Sequence, residues 1–426
     1  MGKVYKQLSE LGNIITGKTP STEDNSLWDG DIPFITPTDI DGFDSRYQEY
    51  TERTISVKGA KKQSKTILPP NTVCVSCIAT IGKMCLTKVP SITNQQINSI
   101  VPNKENDYRY LLYMLRYNLP YMELVAGGSG SGTPIISKGK FSKFKFEIEE
   151  DLSKQHYIAS ILSVYDDLIE KNNRKIAILR EMAEELYKEW FVRFRFPKYK
   201  SAKFKNSSLG RIPQDFEVVK MTNVFDDYIG GGWGNEEENK QYNIPAYVIR
   251  GTDFPYVTNG KLSTCPYRWH KESNFKSRQL KPNDIIIEIS GGTDEQPVGR
   301  TLLIDANTIS RFGNKVICAS FCKLVRVKQD KISPIYFNYW MKFLYDTKTI
   351  ERFQLQSTGI INFKFDYFVR KGDVLLPPKK LMEKFDSTIY LMRENIGRLA
   401  EQNENLKTQR DLLLPRLMSG KLEVKA

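Results

Sequence analysis

One segment of the sequence has the spacing of a phosphate-binding loop. Residues Gly12–Thr19 satisfy the pattern G-x-x-x-x-G-K-[ST], in which backbone N–H groups and a lysine surround the phosphates of a nucleotide. A working loop also needs an apolar strand before it and a helix after it. Residues 5–10 are polar and residues 20–25 are typical of a turn, so this context argues against nucleotide binding.

Patterns of other catalytic centres are incomplete. Ser290 stands where a metal-dependent nuclease of the D…E-x-K kind, aligned on Asp284 and Glu288, needs its lysine. The two Pro-Pro pairs lack the Asn or Asp before them and the aromatic residue after them that amino-methyltransferases use. Nothing in the sequence places a nucleophile beside His156 or His270. We therefore predict a chain that is not itself an enzyme.

The cysteines permit a metal site but do not favour one. Cys74-x-x-Cys77 with Cys85 suggests zinc, with Cys318 and Cys322 as further ligands. However, residues 73–78 are typical of a buried strand, in which a free cysteine behaves as a small apolar residue. No second C-x-x-C pair follows at zinc-finger spacing. We expect neither a metal nor a bound cofactor in this chain.

Two clusters of basic and aromatic residues are the candidates for binding a polyanion. Phosphate contacts need Lys and Arg, whereas base reading needs Arg, Asn, Gln and aromatic side chains on a positioned loop. The alternative, a solvated charged face, stays open for each single residue. The candidate DNA-binding residues are Lys58, Lys61, Lys62 and Lys65 in the first half, and Lys261, Tyr267, Arg268, Trp269, Lys271, Lys276 and Arg278 in the second.

The overall charge agrees with a polyanionic partner. The chain of 426 residues has 63 Lys and Arg against 50 Asp and Glu, which gives a net charge of +13. Its first residues lack the apolar stretch of a signal peptide. No apolar run approaches the roughly 18 residues that a membrane helix needs. We therefore expect a cytoplasmic protein without a membrane partner.

The second half of the sequence repeats the first. Four segments return in the same order, 212 to 226 residues later, so a duplicated module is expected rather than a solenoid of short repeats. Both basic clusters precede the equivalent Leu-Pro-Pro-Asn and Leu-Lys-Pro-Asn segments. The repeated pairs are Pro33–Ile40 with Tyr247–Phe254, Leu68–Val75 with Leu280–Ile287, Tyr110–Met114 with Tyr336–Trp340, and Pro134–Ser137 with Gly359–Asn362.

Each half ends in a long heptad-patterned segment. Apolar residues recur there at alternating steps of three and four, which is typical of a coiled-coil seam. Such a helix is roughly 58 Å long and needs a partner. If the two helices pair antiparallel, with Trp190 beside Phe385, the seam asparagines Asn172 and Asn403 face each other. The residues assigned to the seam are Asn172, Asn403, Ile169, Leu179, Ile396 and Leu406.

These patterns predict an α+β fold with two tandem globular domains, two long helices forming an antiparallel coiled coil, and a pseudo-twofold internal repeat. Two to three domains also suit the length of the chain. The predicted boundaries are 1–150 for the first domain, 151–196 for the central helix, 197–212 for a basic linker, 213–378 for the second domain and 379–420 for the last helix.

Several segments resemble those of one protein family. They are Leu11–Pro20, Trp28–Pro33, Asp167–Asn172 and Arg410–Gly420. Together they resemble the DNA specificity subunit of type I restriction-modification systems, over nearly the full length of the chain. The second half has Ile229–Gly234 where the first has a Gly-Lys-Thr-Pro run.

The resemblance implies a function. Each globular half would be a target recognition domain that reads one part of a split double-stranded DNA site. The helices would act as a spacer and as the docking surface for two methyltransferase subunits, joined by restriction motor-nuclease subunits. S-adenosylmethionine, ATP and Mg would then be needed only by those partner subunits. The competing hypotheses are a phosphate-loop enzyme and a coiled-coil scaffold with no DNA role.

Overall fold

The chain folds as an α+β protein with two long helices, as predicted. The computed structural model describes residues 3–40, 45–127, 133–292, 296–357 and 360–422. Within these ranges no helix is both long and apolar enough to cross a membrane.

The described residues of the first half form ten strands and six α-helices. The strands are β1 Lys3–Gln7, β2 Gly12–Thr16, β3 Trp28–Ile35, β4 Tyr47–Gln48, β5 Arg53–Ile55, β6 Val73–Ser76, β7 Met84–Thr87, β8 Ile92–Thr93, β9 Ile97–Pro102 and β10 Lys145–Glu149. The helices are α1 Leu8–Leu11, α2 Val57–Lys62, α3 Tyr108–Tyr117, α4 Leu119–Gly127, α5 Lys138–Lys143 and the long α6 Leu152–Tyr187.

The second half continues this numbering. Its strands are β11 Phe204–Ser207, β12 Gly210–Pro213, β13 Glu217–Lys220, β14 Phe225–Gly230, β15 Ile244–Ile249, β16 Tyr267–His270, β17 Ile285–Glu288, β18 Ser290–Gly292, β19 Thr301–Leu303, β20 Val316–Cys318, β21 Cys322–Val327, β22 Gln354–Ser357, β23 Ile360–Phe363 and β24 Asp373–Leu376. Its helices are α7 Met221–Val224, α8 Phe254–Thr258, α9 Glu272–Arg278, α10 Ala306–Arg311, α11 Pro334–Asp346, α12 Phe365–Lys371 and the long α13 Lys379–Met418.

Contacts divide the chain into two compact units. The first unit combines Met1–Asn172 with Gln402–Ala426, and the second comprises Asn173–Glu401. Each unit therefore contains one globular domain and one end of each long helix. Between α6 and β13, the segment that follows the helix forms a hairpin of β11 and β12.

In its described residues, the first unit has two larger sheets, a two-stranded sheet of β1 and β10, and one main core. The larger sheet has the strand order β2-β9-β6-β7-β4, and the smaller one β5-β3-β8. Helix α3 packs on the larger sheet through fully buried residues such as Tyr110 and Tyr113. Ile158 and Leu162 of α6 join this core together with Leu417 of α13. The last turn of α13 therefore packs in the core of the first unit.

The second unit repeats this design. The two sheets equivalent to those of the first unit have the orders β14-β21-β17-β19 and β16-β15-β20, with helix α11 in the place of α3. Smaller sheets are formed by β11-β12, β13-β24 and β18-β23-β22. Tyr187 and Phe191, at the end of α6 and in the π-helical turn after it, pack in its core with Phe385 and Ile389 of α13. The core is aromatic, with the rings of Phe191 and Phe385 centred 5.1 Å apart.

The repeated sequence segments have the same local structure in both units. Asp39 and Asp253 each accept a hydrogen bond from the backbone N–H three residues earlier, at 2.8 and 2.9 Å. Asn71 and Asn283 both adopt positive φ, of 66° and 74°, in the turn before β6 and β17. These turns set the equivalent strand starts in both units. Gly359, in the fourth repeated pair, lies outside the described residues.

A buried ionic cluster joins distant parts of the first unit. Asp166 of α6 accepts hydrogen bonds from Arg410 of α13 at 2.5 Å and from the Tyr113 hydroxyl at 2.5 Å. Arg116 lies 3.4 Å from the same carboxylate, and Arg46 lies 3.9 Å from it. Burial lowers the pKa of Arg116. The cluster links the globular domain to both long helices.

Candidate nucleic-acid interface

The four lysines of the first cluster, Lys58, Lys61, Lys62 and Lys65, lie on and just after helix α2 and are all exposed. Ser56 starts this helix by accepting a hydrogen bond from Gly59 N at 3.1 Å. Lys58 donates to Ser26 at 2.6 Å and Lys62 to Asp24 at 3.2 Å. Hydrogen bonds from the side chains of Ser26 and Lys62 hold the pKa of the Asp24 carboxyl below its ordinary value.

The remaining lysines of that cluster are differently placed. Within the part of the chain that the structure describes, Lys61 and Lys65 have no ion pair. All four lysines are exposed and can reach phosphates, and Lys58 and Lys62 also contact the preceding loop.

The second cluster lies on β16 and α9. The guanidinium of Arg268 lies over the ring of Trp233 at 5.2 Å and 3.0 Å from Glu236. The ammonium of Lys271 lies over the ring of Tyr242, also at 5.2 Å. These cation–π contacts hold two cations in fixed positions at the surface.

The other members of the second cluster differ in their exposure and in their contacts. Tyr267 is exposed and packs edge-on against Tyr247, with Trp269 half-buried on the same strand. Arg278 donates to the carbonyl of Gly230 at 2.9 Å, so it supports the glycine-rich loop Ile229–Gly234. Lys276 is exposed and pairs with Glu272, whereas Lys261 is half-buried after α8.

The two clusters occupy equivalent elements. Strands β5 and β16 each pair antiparallel with the central strand of a three-stranded sheet, and each is followed directly by the helix that carries the basic residues. In each sheet the other neighbour, β8 or β20, runs parallel to the central strand. Positive charge therefore lies at the same structural position in both units.

The glycine-rich loop of the second unit has the geometry of its counterpart in the first. Gly17 N donates to Ile97 O at 3.2 Å, and Gly231 N donates to the equivalent Cys322 O at 2.9 Å. A Cβ atom at Gly17 or Gly231 would lie 2.2 or 2.1 Å from a backbone carbonyl oxygen, so both positions require glycine. Although Ile229–Gly234 stands in place of a Gly-Lys-Thr-Pro run, the backbone at Gly231 makes the same hydrogen bond and the same close approach as at Gly17.

The phosphate-loop match is not a phosphate loop. Residues Gly12–Thr16 form strand β2, which pairs with β9 from Gly12 opposite Pro102 to Thr16 opposite Asn98. Backbone groups of this segment form hydrogen bonds within the sheet, so they are not directed at a phosphate. Residues 17–24, which follow the strand, form no helix. The helix N-terminus that a nucleotide phosphate needs is therefore missing at this position.

Neither the histidines nor the cysteines form a reactive centre. His270 is buried at the end of β16, and burial lowers its pKa, which favours the neutral ring. His156 contacts Asp107 at the start of α3. All six cysteines are buried and unpaired by disulfides, with Cys74 directly opposite Cys85 in the sheet. Among the described residues, no group of three or more His, Cys, Asp or Glu could hold a metal.

Sequence reasoning missed several residues of this surface. Trp233 and Tyr242 lie under the cations of Arg268 and Lys271, but both come from loops distant in sequence. In the first unit, Thr19 donates to Gln95 at 2.6 Å beside the Gly17 loop. The sequence signal for Trp233 was its position directly after three glycines, because an aromatic residue in such a loop is free to stack on another group.

The seam asparagines meet. Asn172 Nδ2 donates to Asn403 Oδ1 at 3.0 Å and to Gln402 Oε1 at 3.1 Å, within the first unit. In the second unit the rings of Trp190 and Phe385 are centred 6.1 Å apart, as the antiparallel pairing requires. Of the other predicted seam residues, Ile169 is buried, while Leu179, Ile396 and Leu406 are half-buried.

We expect Asn172→Leu to destabilise the first unit by roughly 1 to 3 kcal/mol, because the buried Asn403 amide then loses this bond and faces leucine. The double change Asn172→Leu with Asn403→Leu should cost less, or even stabilise, since both amides are removed. Hydrogen exchange of the amides of α3 measures the stability of the first unit separately, with the exposed Lys171→Leu as a control on the same helix as Asn172. Equal losses in the single and double variants would contradict the argument.

Helix α6 also presents apolar side chains to solvent. Tyr157, Ile161, Val164 and Leu168 follow one another at steps of four, three and four, so they form a second stripe beside the seam. Ile161 is partly buried against the core of the first unit, while the other three are exposed. Val164 is 56% exposed and Leu168 38%, which is unusual for a heptad-spaced apolar stripe unless a partner covers it. We call these four residues the outer stripe.

Comparisons with known proteins agree with this architecture. The family model of the type I restriction modification DNA specificity domain matches residues 2–180. The MjaIX specificity subunit of Methanocaldococcus jannaschii is 27% identical over 432 residues, covering 98% of this chain and 93% of that protein. The HindI specificity subunit of Haemophilus influenzae is 33% identical over 185 residues, covering 42% of this chain and 40% of that protein.

A solved structure shows the same fold. The S subunit of a type I restriction-modification system from M. genitalium aligns over 98% of this chain and 96% of its own length. The TM-score is 0.53 at 15% sequence identity. The fold is therefore retained at low sequence similarity.

Proposed function

We propose, since the chain belongs to the family of type I restriction-modification specificity subunits, that its two globular domains each read one part of a split DNA target. Members of this family recognise DNA for the restriction-modification complex and are not catalytic themselves. The domains that we assign to target recognition are 1–150 and 213–378. The observation that carries the proposal is the repeated position of positive charge, after β5 in one unit and after β16 in the other.

The two clusters suit different parts of DNA recognition. The exposed lysines of α2 are flexible point charges, which suit phosphates and carry no sequence information. In the second domain, Arg268 is held over Trp233, and Tyr267 is exposed beside it. A positioned arginine with neighbouring aromatic rings is suited to base edges. We assign phosphate binding to Lys58, Lys61, Lys62 and Lys65, and base contacts to Arg268, Tyr267 and Trp269.

The remaining basic residues of the second domain complete this surface. Lys271 and Lys276 are suited to phosphates, and Lys261 lies after α8 at the edge of the same domain. Arg278 positions the glycine-rich loop through Gly230 and adds positive charge. Double-stranded DNA is thus the partner that both domains are suited to bind.

Neutralising Lys61 and Lys62 together should reduce the salt dependence of DNA binding without changing the preferred sequence. Each lost phosphate contact lowers the slope of log affinity against log salt by about 0.9. Fluorescence anisotropy with a cognate duplex over a salt series measures this. The matched control changes Lys104 and Lys138, which are also exposed lysines of the first unit. An unchanged slope would remove α2 from the interface, and salt-independent or undetectable DNA binding would favour a scaffold role.

The long helices have a separate role in this proposal. Residues 151–196 and 379–420 act as a spacer, with the Asn172–Asn403 contact fixing their register. Residues 197–212 connect the central helix to the second domain. We infer that the outer stripe binds methyltransferase subunits, because Leu168 lies in Asp167–Asn172, a segment that resembles the family.

The complete complex would contain two methyltransferase subunits and restriction motor-nuclease subunits in the cytoplasm. The specificity-subunit family typically carries no cofactor. S-adenosylmethionine, ATP and Mg would therefore be bound by the partners. The Gly12–Thr16 strand offers no support for a nucleotide-hydrolysing alternative.

A further inference from the structure

A cavity in the second unit is not used by the proposed DNA contacts. It measures about 270 Å³ and is lined by α8, β19, α10, α11 and the ends of α6 and α13 that belong to this unit. This volume is near the lower end of the range of small-molecule sites. Gly397 lies in its wall, where a Cβ atom would lie 2.4 Å from Asn307 Nδ2, so glycine lets α10 approach α13 closely.

The cavity has more cations than its carboxylates neutralise. Three of its basic residues have partners: Lys342 lies 3.0 Å from Asp346, Arg393 lies 2.9 Å from Asp305, and Arg300 lies 2.8 Å from Glu288. Arg180 and Arg311 also line the cavity. Neither has a carboxylate within 4 Å in the described ranges, and Arg180 donates only to the neutral amide of Asn259, at 2.8 Å. The third carboxylate of the lining, Glu184, lies 3.6 Å from Lys342. The lining therefore has five basic residues against three carboxylates, and two of the guanidinium groups contact none of them.

The cavity also contains an unused acceptor. Asn338 Oδ1 is buried and accepts no hydrogen bond from any described residue. A buried acceptor without a donor is unfavourable, so a donor inside the cavity would be stabilising. Nearby, Phe254 and Tyr339 provide apolar ring surface in the same lining. The lining thus combines positive charge, one acceptor and flat apolar walls.

We propose that this cavity binds a small organic anion of mononucleotide size, which has a phosphate or carboxylate group and a planar ring that carries an amino group. The anionic group pairs with Arg180 and Arg311, the amino group on the ring donates to Asn338 Oδ1, and the ring packs on Phe254 and Tyr339. This site is independent of the DNA-binding clusters and does not rest on the proposed function.

Isothermal titration calorimetry of the full chain with AMP, without DNA, tests the proposal. We expect one AMP per chain, with adenosine and inorganic phosphate each binding at least about tenfold more weakly, because each lacks one of the recognised groups. Arg311→Met should weaken AMP binding at least about tenfold. The control Arg398→Met, at an exposed arginine of α13 that pairs with Glu394, should leave it unchanged.

A second variant separates binding from folding. Asn338→Ala removes the acceptor without adding bulk or charge, so it should weaken AMP binding at least about tenfold while circular dichroism shows an unchanged fold. Absence of AMP binding at about 1 mM would overturn the proposal. Binding that persists undiminished in both Arg311→Met and Asn338→Ala would also overturn it, because the AMP would then be bound elsewhere, for example at a DNA-binding surface.

Discussion

Replacing Asp166 by alanine should lower the stability of the first unit by about 3 to 5 kcal/mol, because it leaves buried guanidinium groups without their shared carboxylate. Asp166 is 3% exposed and interacts with Arg46, Arg116 and Arg410. The Tyr113 hydroxyl also loses its acceptor. The loss exceeds that expected for a surface ion pair, since charges in the interior cannot be solvated by water once the partner is removed.

Hydrogen exchange followed by mass spectrometry measures this effect unit by unit, which matters because a chain with two units need not unfold in one step. Protection of α3 should fall sharply, whereas α11 in the second unit should keep its protection. The control is Asp167→Asn, which removes a carboxylate that is 52% exposed and also contacts Arg46, and should cost no more than about 1 kcal/mol. Similar small losses for both variants would show that the cluster does not hold the unit together.

The second large effect concerns the outer stripe. Changing Val164 and Leu168 together to aspartate should weaken binding of the methyltransferase subunit at least about 100-fold, since two apolar side chains worth roughly 1.5 to 3 kcal/mol each are replaced by charges that resist burial. Both residues are exposed in the chain itself, so folding should be unaffected. Calorimetric titration with the cognate methyltransferase subunit gives the affinity directly.

Leu124→Asp provides the matched control. Leu124 is an exposed leucine of the same unit, on α4 rather than on a long helix, and is 74% exposed. The control should leave both subunit affinity and DNA binding unchanged, while the stripe variant loses only the subunit. If the stripe variant still binds the subunit as tightly as the parent chain, another surface is the docking site.

Much of this architecture was predictable because periodic patterns are local. The alternating apolar steps placed both long helices, and the two interruptions of the seam identified the Asn172–Asn403 contact, since a polar residue in such a seam needs a polar partner. The repeated Thr-Asp segments predicted equivalent turns, which Asp39 and Asp253 make through the same backbone hydrogen bond.

Contacts between residues far apart in sequence were not predictable. Arg46, Arg116 and Arg410 carry no periodic signal that would assign all three to Asp166, because their meeting depends on the packing of a loop, α3 and both long helices. The stacking partners of the second cluster are similar cases. Trp233 and Tyr242 contact Arg268 and Lys271 because the long loop between β14 and β15 folds back over β16 and the residue after it.

The most direct test of modular DNA recognition is an exchange of residues 213–378 for the same region of a related specificity subunit, followed by methylome sequencing of a host that also expresses the methyltransferase subunits. Because each domain contains its own copy of the repeated elements, we predict that only one half of the methylated target changes, while the other half and the spacing between them stay the same. A hybrid whose target changes in both halves, or becomes one continuous site, would contradict the account.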